Sequence, residues 1–270
     1  MAARRLLYKE GPGAVFRKDE GRLAQLAEHL AYTERVGGSN PSPPTIRAIL
    51  GAACLWSLVF AAGLGTGAAR ADPDTMTFRV VPLETSGCAA RCPHVIVADG
   101  VIESSTPQSF VDFLKSTSDD RGLKRIVFFN SRGGNVVASM VFGHILRELR
   151  VAGIVGRFDA GANGGPFVGE CLSACVYAMM GAVRRVAPAG SEVALHRMSI
   201  VESQGGGWGG PAHVTRSFAD KPMVSILRRY ARRMGVNSGL VSLAESLPPD
   251  AVHVLTPDEM RRFSFATGRF

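Results

Sequence analysis

The run Arg125–Phe129 is apolar at every position after the first, and it passes directly into Asn130-Ser131-Arg132-Gly133-Gly134-Asn135. A strand with one wet face alternates polar and apolar residues. A continuous apolar run of this length belongs to a strand covered on both faces, which is the setting of a parallel sheet. An amphipathic helix, Val136 to Leu149, is expected next, with apolar positions at Val137, Met140, Val141 and Ile145. Strand, glycine turn and helix make a βαβ-type unit, so the chain is placed in the α/β class. The diglycine lets the backbone approach a ligand closely and turn its N–H groups inward. A tight turn with no ligand is the plain alternative.

A second stretch, Gly169-Glu170-Cys171-Leu172-Ser173-Ala174-Cys175, follows the small-residue loop Gly161-Ala162-Asn163-Gly164-Gly165 and precedes the helix-compatible run Val176 to Met180. A serine at such a junction can point its hydroxyl into a cleft. The Ala174 amide would then sit at a helix N-terminus, where a developing oxyanion is favoured. A serine in that place is more often only an N-cap. Glu192 to Leu195 reads as a strand and delivers His196 at its end. Nucleophilic catalysis needs a hydroxyl, a base to take its proton and N–H donors for the oxyanion. The three stretches offer these in order.

The remaining elements are ordinary. Residues 77–83 and 94–98 are β-branched strands, and Gln108 to Lys115 is a helix with Thr106 as N-cap and Pro107 at its first position. Val151 to Val155 and Arg184 to Ala187 are further strands. Gln204 to Pro211 is too rich in glycine to pack by itself. Asp220 caps a long helix through Met234, closed by Gly235, whose Arg228, Arg229, Arg232 and Arg233 share one side. That side reads as a solvated face or a contact for an acidic partner. Leu240 to Leu247 is a short helix, and Thr256-Pro257-Asp258-Glu259 is a capping box for a last one.

The first 45 residues do not read as protein design. Residues 24–45 carry no amphipathic period, and Gly38-Ser39-Asn40-Pro41-Ser42-Pro43-Pro44 cannot be a helix or strand interior. Ala24-Gln25-Leu26 with Glu28-His29 is what the D-arm of a transfer-RNA gene gives when translated, and Gly38-Ser39-Asn40-Pro41 is what a T-arm gives. Residues 1–45 are therefore expected to be upstream sequence read through as coding. Residues 46–71 then form a secretory signal, with Arg47 before the apolar stretch Ala48 to Ala62 and an Ala69-Arg70-Ala71 cleavage site. A transmembrane helix is the alternative, but Gly63, Gly65 and Gly67 interrupt a core that is short for a span. Cys54 is discarded with the peptide. The mature protein, residues 72–270, is expected to be periplasmic or secreted, with no stable membrane span.

The net charge of +8 is half owed to residues 1–71, which carry nine Lys/Arg against five Asp/Glu. The remainder is mildly basic without aromatic interleaving, so no nucleic-acid partner is expected. Four cysteines survive export: Cys88, Cys92, Cys171 and Cys175. An even count in an oxidising compartment suggests disulfides, with three pairings open. Cys171 with Cys175 would brace Ser173; a cross-pair would tie the Cys88 loop over it. Two C-x₃-C pairs are off the usual zinc spacing, so no metal is expected. His94, His144 and His213 read as packing or surface residues.

The order of these motifs resembles the Clp protease proteolytic subunit within the crotonase-like superfamily. Phe129-Asn130-Ser131-Arg132-Gly133-Gly134 is similar to that family's N-S-P-G-G turn, with Arg132 in place of proline. Ser173-Ala174 matches its nucleophile and following residue, and Ser191-Glu192-Val193-Ala194-Leu195-His196 its S-R-V-M-I-H. Leu255 to Met260 matches the opening of its last helix. The likeness covers about residues 94–267 and is nearest to exported bacterial members with a Glu-Cys-x-Ser-Ala-Cys pattern. The resemblance implies a single-domain α/β superhelix of ββα units. It further implies Ser173 as nucleophile, His196 as base, Asp250 as the third member, and the amides of Gly134 and Ala174 as oxyanion donors. Residues 204–211 take the place of the family's handle region, and rings or trimers of the family imply a homo-oligomer. The expected activity is a serine peptidase without cofactor. The alternatives are a non-catalytic binding or assembly module, and an acyl-thioester enzyme, which export disfavours. Sequencing of the exported protein is expected to start at Asp72; recovery from cells of peptides from residues 1–45 would overturn this account of the N-terminus.

Overall fold

The computed structural model describes residues 74–83, 88, 92–158, 166–204 and 213–267. Residues 1–45, the expected signal segment 46–71, the loop 161–165 and positions 205–211 of the glycine-rich stretch lie outside the described residues. The first β-branched runs form Thr77–Pro82 (β1) and His94–Asp99 (β2), which pair antiparallel. Thr106–Ser116 (α1), Leu123–Asn130 (β3), Val136–Glu148 (α2) and Ala152–Val155 (β4) follow. The chain continues through Glu170–Leu172 (β5), Ala174–Met180 (α3) and Arg184–Val186 (β6). β2, β3, β4 and β6 are parallel, completing a five-stranded sheet of order β1-β2-β3-β4-β6. Parallel neighbours need crossover connections, which α1 and α2 supply on either side of β3.

β3 is covered on both faces, as its unbroken apolar run requires. Val127 and Phe129 pack with Phe110 of α1 and Phe142 of α2, while on the other face Ile126 and Phe128 lie beside Val95, Val97, Ile154 and Val186 of the neighbouring strands, with Phe158 edge-on to Phe128 at 5.0 Å. Phe110 and Phe142 meet edge-on at 4.9 Å, and Phe129 reaches Phe142 at 6.0 Å. Phe110, Phe128, Phe129 and Phe142 are essentially without solvent exposure. Each contributes roughly 1.5–3 kcal/mol of burial.

A second sheet holds the far wall of the site. Glu192–His196 (β7) pairs parallel with β5. Ser199–Gln204 (β8) and His213–Phe218 (β9) form a separate antiparallel ribbon flanking the glycine run. Lys221–Arg233 (α4) and Gly239–Ser246 (α5) follow, then Val252–Val254 (β10), antiparallel to β7, and Pro257–Arg262 (α6). Asp220 caps α4 through Met223 N, and both halves of the Thr256–Glu259 capping box are made. The four arginines of α4 are all exposed.

Three local expectations change. α1 starts one residue earlier than its Thr106 signal, with Ser105 at the N-cap, because the Thr106 hydroxyl accepts from the Glu103 amide instead. The buried side of α2 is Ala138, Phe142, Ile145 and Leu146, whereas Val137 is 49% exposed. Phe142 outweighs the smaller valines in choosing which side faces the core. β5, β8, β9 and β10 are strands the sequence reading does not assign: β5 and β10 have three residues each, and β8 and β9 flank the glycine-rich stretch.

Candidate active site

Strand β3 ends where the chain must turn, and the turn is fixed by side chains of its own sequence. Asn130 donates through Nδ2 to Asp99 Oδ1 at 3.1 Å and accepts at Oδ1 from the Glu170 amide at 3.1 Å. Ser131, 2% exposed, accepts at Oγ from the Gly133 amide at 3.2 Å. Its backbone joins β5 on both sides, Ser131 N to Glu170 O at 2.8 Å and Leu172 N to Ser131 O at 2.9 Å. On the opposite edge, Ile102 N donates to Gly133 O and Asn135 N to Ile102 O, each at 2.7 Å. These bonds use the Gly133 carbonyl and the Asn135 amide, not the amide of Gly134.

Both glycines are required there. Gly133 and Gly134 have φ of +103° and +129°, which side-chain-bearing residues rarely adopt. A Cβ on Gly134 would stand 2.1 Å from Ile102 O. One on Gly133 would stand 2.9 Å from both Ala174 N and Ser173 Cβ, so the turn and the serine are in backbone contact.

Ser173 sits between β5 and α3 at φ +53°, ψ −119°, a conformation that costs a residue with a side chain about 1–3 kcal/mol. It is not an ordinary N-cap, for its side chain makes no capping bond. The hydroxyl is turned the other way. Ser173 N donates to Ala194 O at 2.8 Å, and the parallel register of β5 with β7 carries His196 to its side. Disulfides join Cys171 to Cys175 and Cys88 to Cys92. The first brackets the serine, with both cysteines fully buried. A helical i,i+4 pair would aim its sulfurs poorly, but Cys171 lies in β5, ahead of the helix, and the Cα atoms are 5.2 Å apart.

The Ser173 hydroxyl lies 2.6 Å from His196 Nε2. His196 Nδ1 is 2.7 Å from the carbonyl of Arg197. A carbonyl can only accept, so Nδ1 carries the proton and the Nε2 lone pair faces the serine O–H. Both side chains open onto a cleft of about 640 Å³, lined by Gly134 and Ala174 near the serine and by Val136, Tyr177, Leu195 and Met223 further out. Arg132 pairs on the rim with Glu170 at 3.2 Å.

The structure thus brings Ser173, His196, Gly134 and Ala174 together and leaves Asp250 out. Asp250 is 88% exposed and its carboxylate pairs with Arg216 at 2.9 Å; the acceptor on His196 Nδ1 is a backbone carbonyl instead. The β9 strand brings Arg216 to Asp250, which a local motif cannot show. His253 stands beside β7 opposite Leu195, but its ring bonds the Glu259 carboxylate at 3.0 Å. His94 is paired with Asp120, and His144 lies against the Tyr230 ring at 5.3 Å; the His213 side chain lies outside what is described. Missed from the sequence was Glu245, the half-buried acid of α5, which accepts from Met198 N at 3.3 Å just past His196. Its signal was an acidic residue next to the buried Ala244 and one turn beyond Val241. Among the described residues no group of three or more His, Cys, Asp and Glu is placed to hold a metal, and no helix is long and apolar enough to cross a membrane.

No protein-family model matches this chain, and no curated protein matches it. Two solved structures to which it is similar are of the 1510-N membrane-bound stomatin-specific protease. One is a serine-to-alanine mutant with 18% identity, covering 64% of this chain and 75% of that one at a TM-score of 0.43. The other, a lysine-to-alanine mutant in complex with a substrate peptide, has 18% identity, 64% and 71% coverage, and a TM-score of 0.41.

The backbone conformation of Ser173 has a measurable cost. Glycine adopts positive φ without a Cβ penalty, so Ser173→Gly is expected to unfold at higher denaturant than Ser173→Ala, by about 1 kcal/mol after the extra chain entropy of glycine is counted. Urea unfolding of the two oxidised variants checks this, and equal stabilities would contradict the strain.

Proposed function

We propose that this chain is an exported serine hydrolase, a peptidase of the Clp-protease-like kind, that works through an acyl-enzyme on Ser173 and needs no cofactor. The observation that carries the reading is the Ser173–His196 contact of 2.6 Å, made by a serine on a sharp elbow with the histidine held in the base-competent tautomer. In the proposed reaction Ser173 Oγ attacks a peptide carbonyl while Nε2 takes its proton. The amides of Gly134 and Ala174 receive the oxyanion, the imidazolium gives its proton to the leaving amine, and water repeats the cycle in reverse roles to release the acid.

A peptide substrate suits the cleft, whose apolar lining (Val136, Val137, Tyr177, Leu195, Met198, Met223) would bury a side chain while the turn backbone meets the scissile group. Two disulfides support an oxidising compartment, in keeping with the signal segment at 46–71 and cleavage after Ala71. Self-association into a homo-oligomer is part of the proposal, supported by the resemblance of the motifs alone. One observation favours a second reading. His196 has a neutral carbonyl where a triad has a carboxylate, and a chain that lost catalysis while serving as a binding or assembly module would tolerate that exchange.

Labelling of the oxidised protein with a fluorophosphonate serine probe separates the two. The hydrolase reading expects covalent labelling that disappears in Ser173→Ala and falls by about 10³-fold or more in His196→Ala. It also expects Asp250→Asn to label within about twofold of the native rate, since an exposed ion pair contributes little. Absence of labelling in correctly folded protein would leave the binding module.

A further inference from the structure

Past the end of β7 a line of hydrogen bonds continues beyond His196. The Nδ1 proton of His196 goes to the Arg197 carbonyl at 2.7 Å. The amide of that same peptide unit, Met198 N, donates to Glu245 Oε1 at 3.3 Å. One planar group therefore carries the imidazole on its oxygen and a carboxylate on its nitrogen. Resonance couples the two ends of a peptide. A negative charge accepting from the N–H draws electron density toward the oxygen and makes it the stronger acceptor, since linked hydrogen bonds polarise one another.

Glu245 is an uneconomical choice for a purely structural acceptor. It is half-buried on α5 beside Val241 and Ala244, and burial raises its carboxyl above the ordinary range, against the lowering influence of the Met198 amide, Arg197, His196 and Arg228. A glutamine would accept the same bond without desolvating a charge. The charged and titratable groups around the carboxylate are His196 and Arg197 at the end of β7, Arg228 on α4 and the buried Tyr177 phenol on α3. The Arg197 guanidinium lies over the Phe218 ring at 4.5 Å. The histidine is the neighbour whose charge changes during the proposed reaction.

We propose that Glu245 is the positioning residue of His196, acting through the Arg197–Met198 peptide unit. Its charge strengthens the carbonyl that holds Nδ1–H, keeps Nε2 free to accept, and stabilises the imidazolium formed when Ser173 attacks. The proposal rests on the serine-hydrolase reading for its purpose but not for its measurement. No proton travels along the peptide. The serine proton moves from Oγ to Nε2 and on to the leaving group, and Glu245 stays ionised throughout.

The test is a titration of His196 by nitrogen-15 NMR in the full chain, native and Glu245→Gln, beside the pH profile of fluorophosphonate labelling. Glutamine keeps an acceptor and removes the charge, so the imidazolium loses a stabilising partner and its pKa is expected to fall by about one unit. Glu245→Asp, which keeps the charge, is expected to stay nearer the native value. The acid limb of labelling, set by the fraction of neutral histidine, is expected to move down with it. The plateau rate is expected to fall about tenfold, against the ~10⁴-fold that follows loss of a directly bonded aspartate. An unchanged His196 titration in folded Glu245→Gln overturns the proposal, whether or not the protein labels. A falling pKa in a chain that never labels supports the link and counts against the hydrolase reading alone. If Glu245→Gln does not fold, the native protein decides. Its His196 ring signals are expected to show a second inflection, from Glu245, above the usual carboxylate range; a single inflection overturns the link.

Discussion

At Ser173 the backbone stands at φ +53° and ψ −119°, and everything that faces the cleft depends on its staying there. A serine free to relax into an ordinary helical start would turn its hydroxyl back to cap α3 and leave His196 without a partner. Several independent bonds prevent this. Leu172 N is tied to Ser131 O, Ser173 N to Ala194 O, and Cys171 to Cys175 across the elbow. Each of these comes from a different part of the chain, so the strained residue is determined from three sides. Conformations of this kind persist only when their surroundings over-determine them.

The two sheets meet at this point for a physical reason. β3 ends at Asn130, and the chain turns away from the sheet before Gly133 and Gly134, whose backbones adopt positive φ. The freed edge of Ser131 is then completed by β5, which is too short to be a strand by itself and exists through this pairing and that with β7. β7 in turn carries His196 to the same end. A small hydrogen-bonded lattice, not a large core contact, converts the burial of Phe110, Phe128, Phe129 and Phe142 into a fixed distance between a hydroxyl and an imidazole. The histidine needs one further constraint, its tautomer, and the Arg197 carbonyl supplies it locally.

What the sequence made legible were the features encoded within a few residues of one another. The apolar run of β3, the Asn130–Asn135 turn, the serine before an apolar helix and the histidine at a strand end all carry their own signals. The disulfide pairing stayed open because vectors, not spacing, decide it, and the vectors follow from Cys171 lying in β5. Asp250 illustrates the opposite limit. Its place near the last helix suggested a triad member, but Arg216 arrives from β9 across the chain and takes its carboxylate into solvent. Glu245 was legible only in part for the same reason. Its own helix marks an acid beside buried positions, but the peptide unit that gives the acid its meaning lies 47 positions away in the sequence. The side of α2 was misjudged because counting apolar positions gave Val137 the weight that Phe142 holds.

The central claim is that the turn and the elbow together form a site for a developing oxyanion next to an activated serine. A crystal structure of the protein after reaction with a fluorophosphonate tests it most directly. The phosphorus is expected on Ser173 Oγ, with its phosphoryl oxygen about 2.7–3.1 Å from the amides of both Gly134 and Ala174 and His196 Nε2 close to the adduct. A phosphoryl oxygen turned to solvent and touching neither amide, or an adduct on another residue, would contradict it.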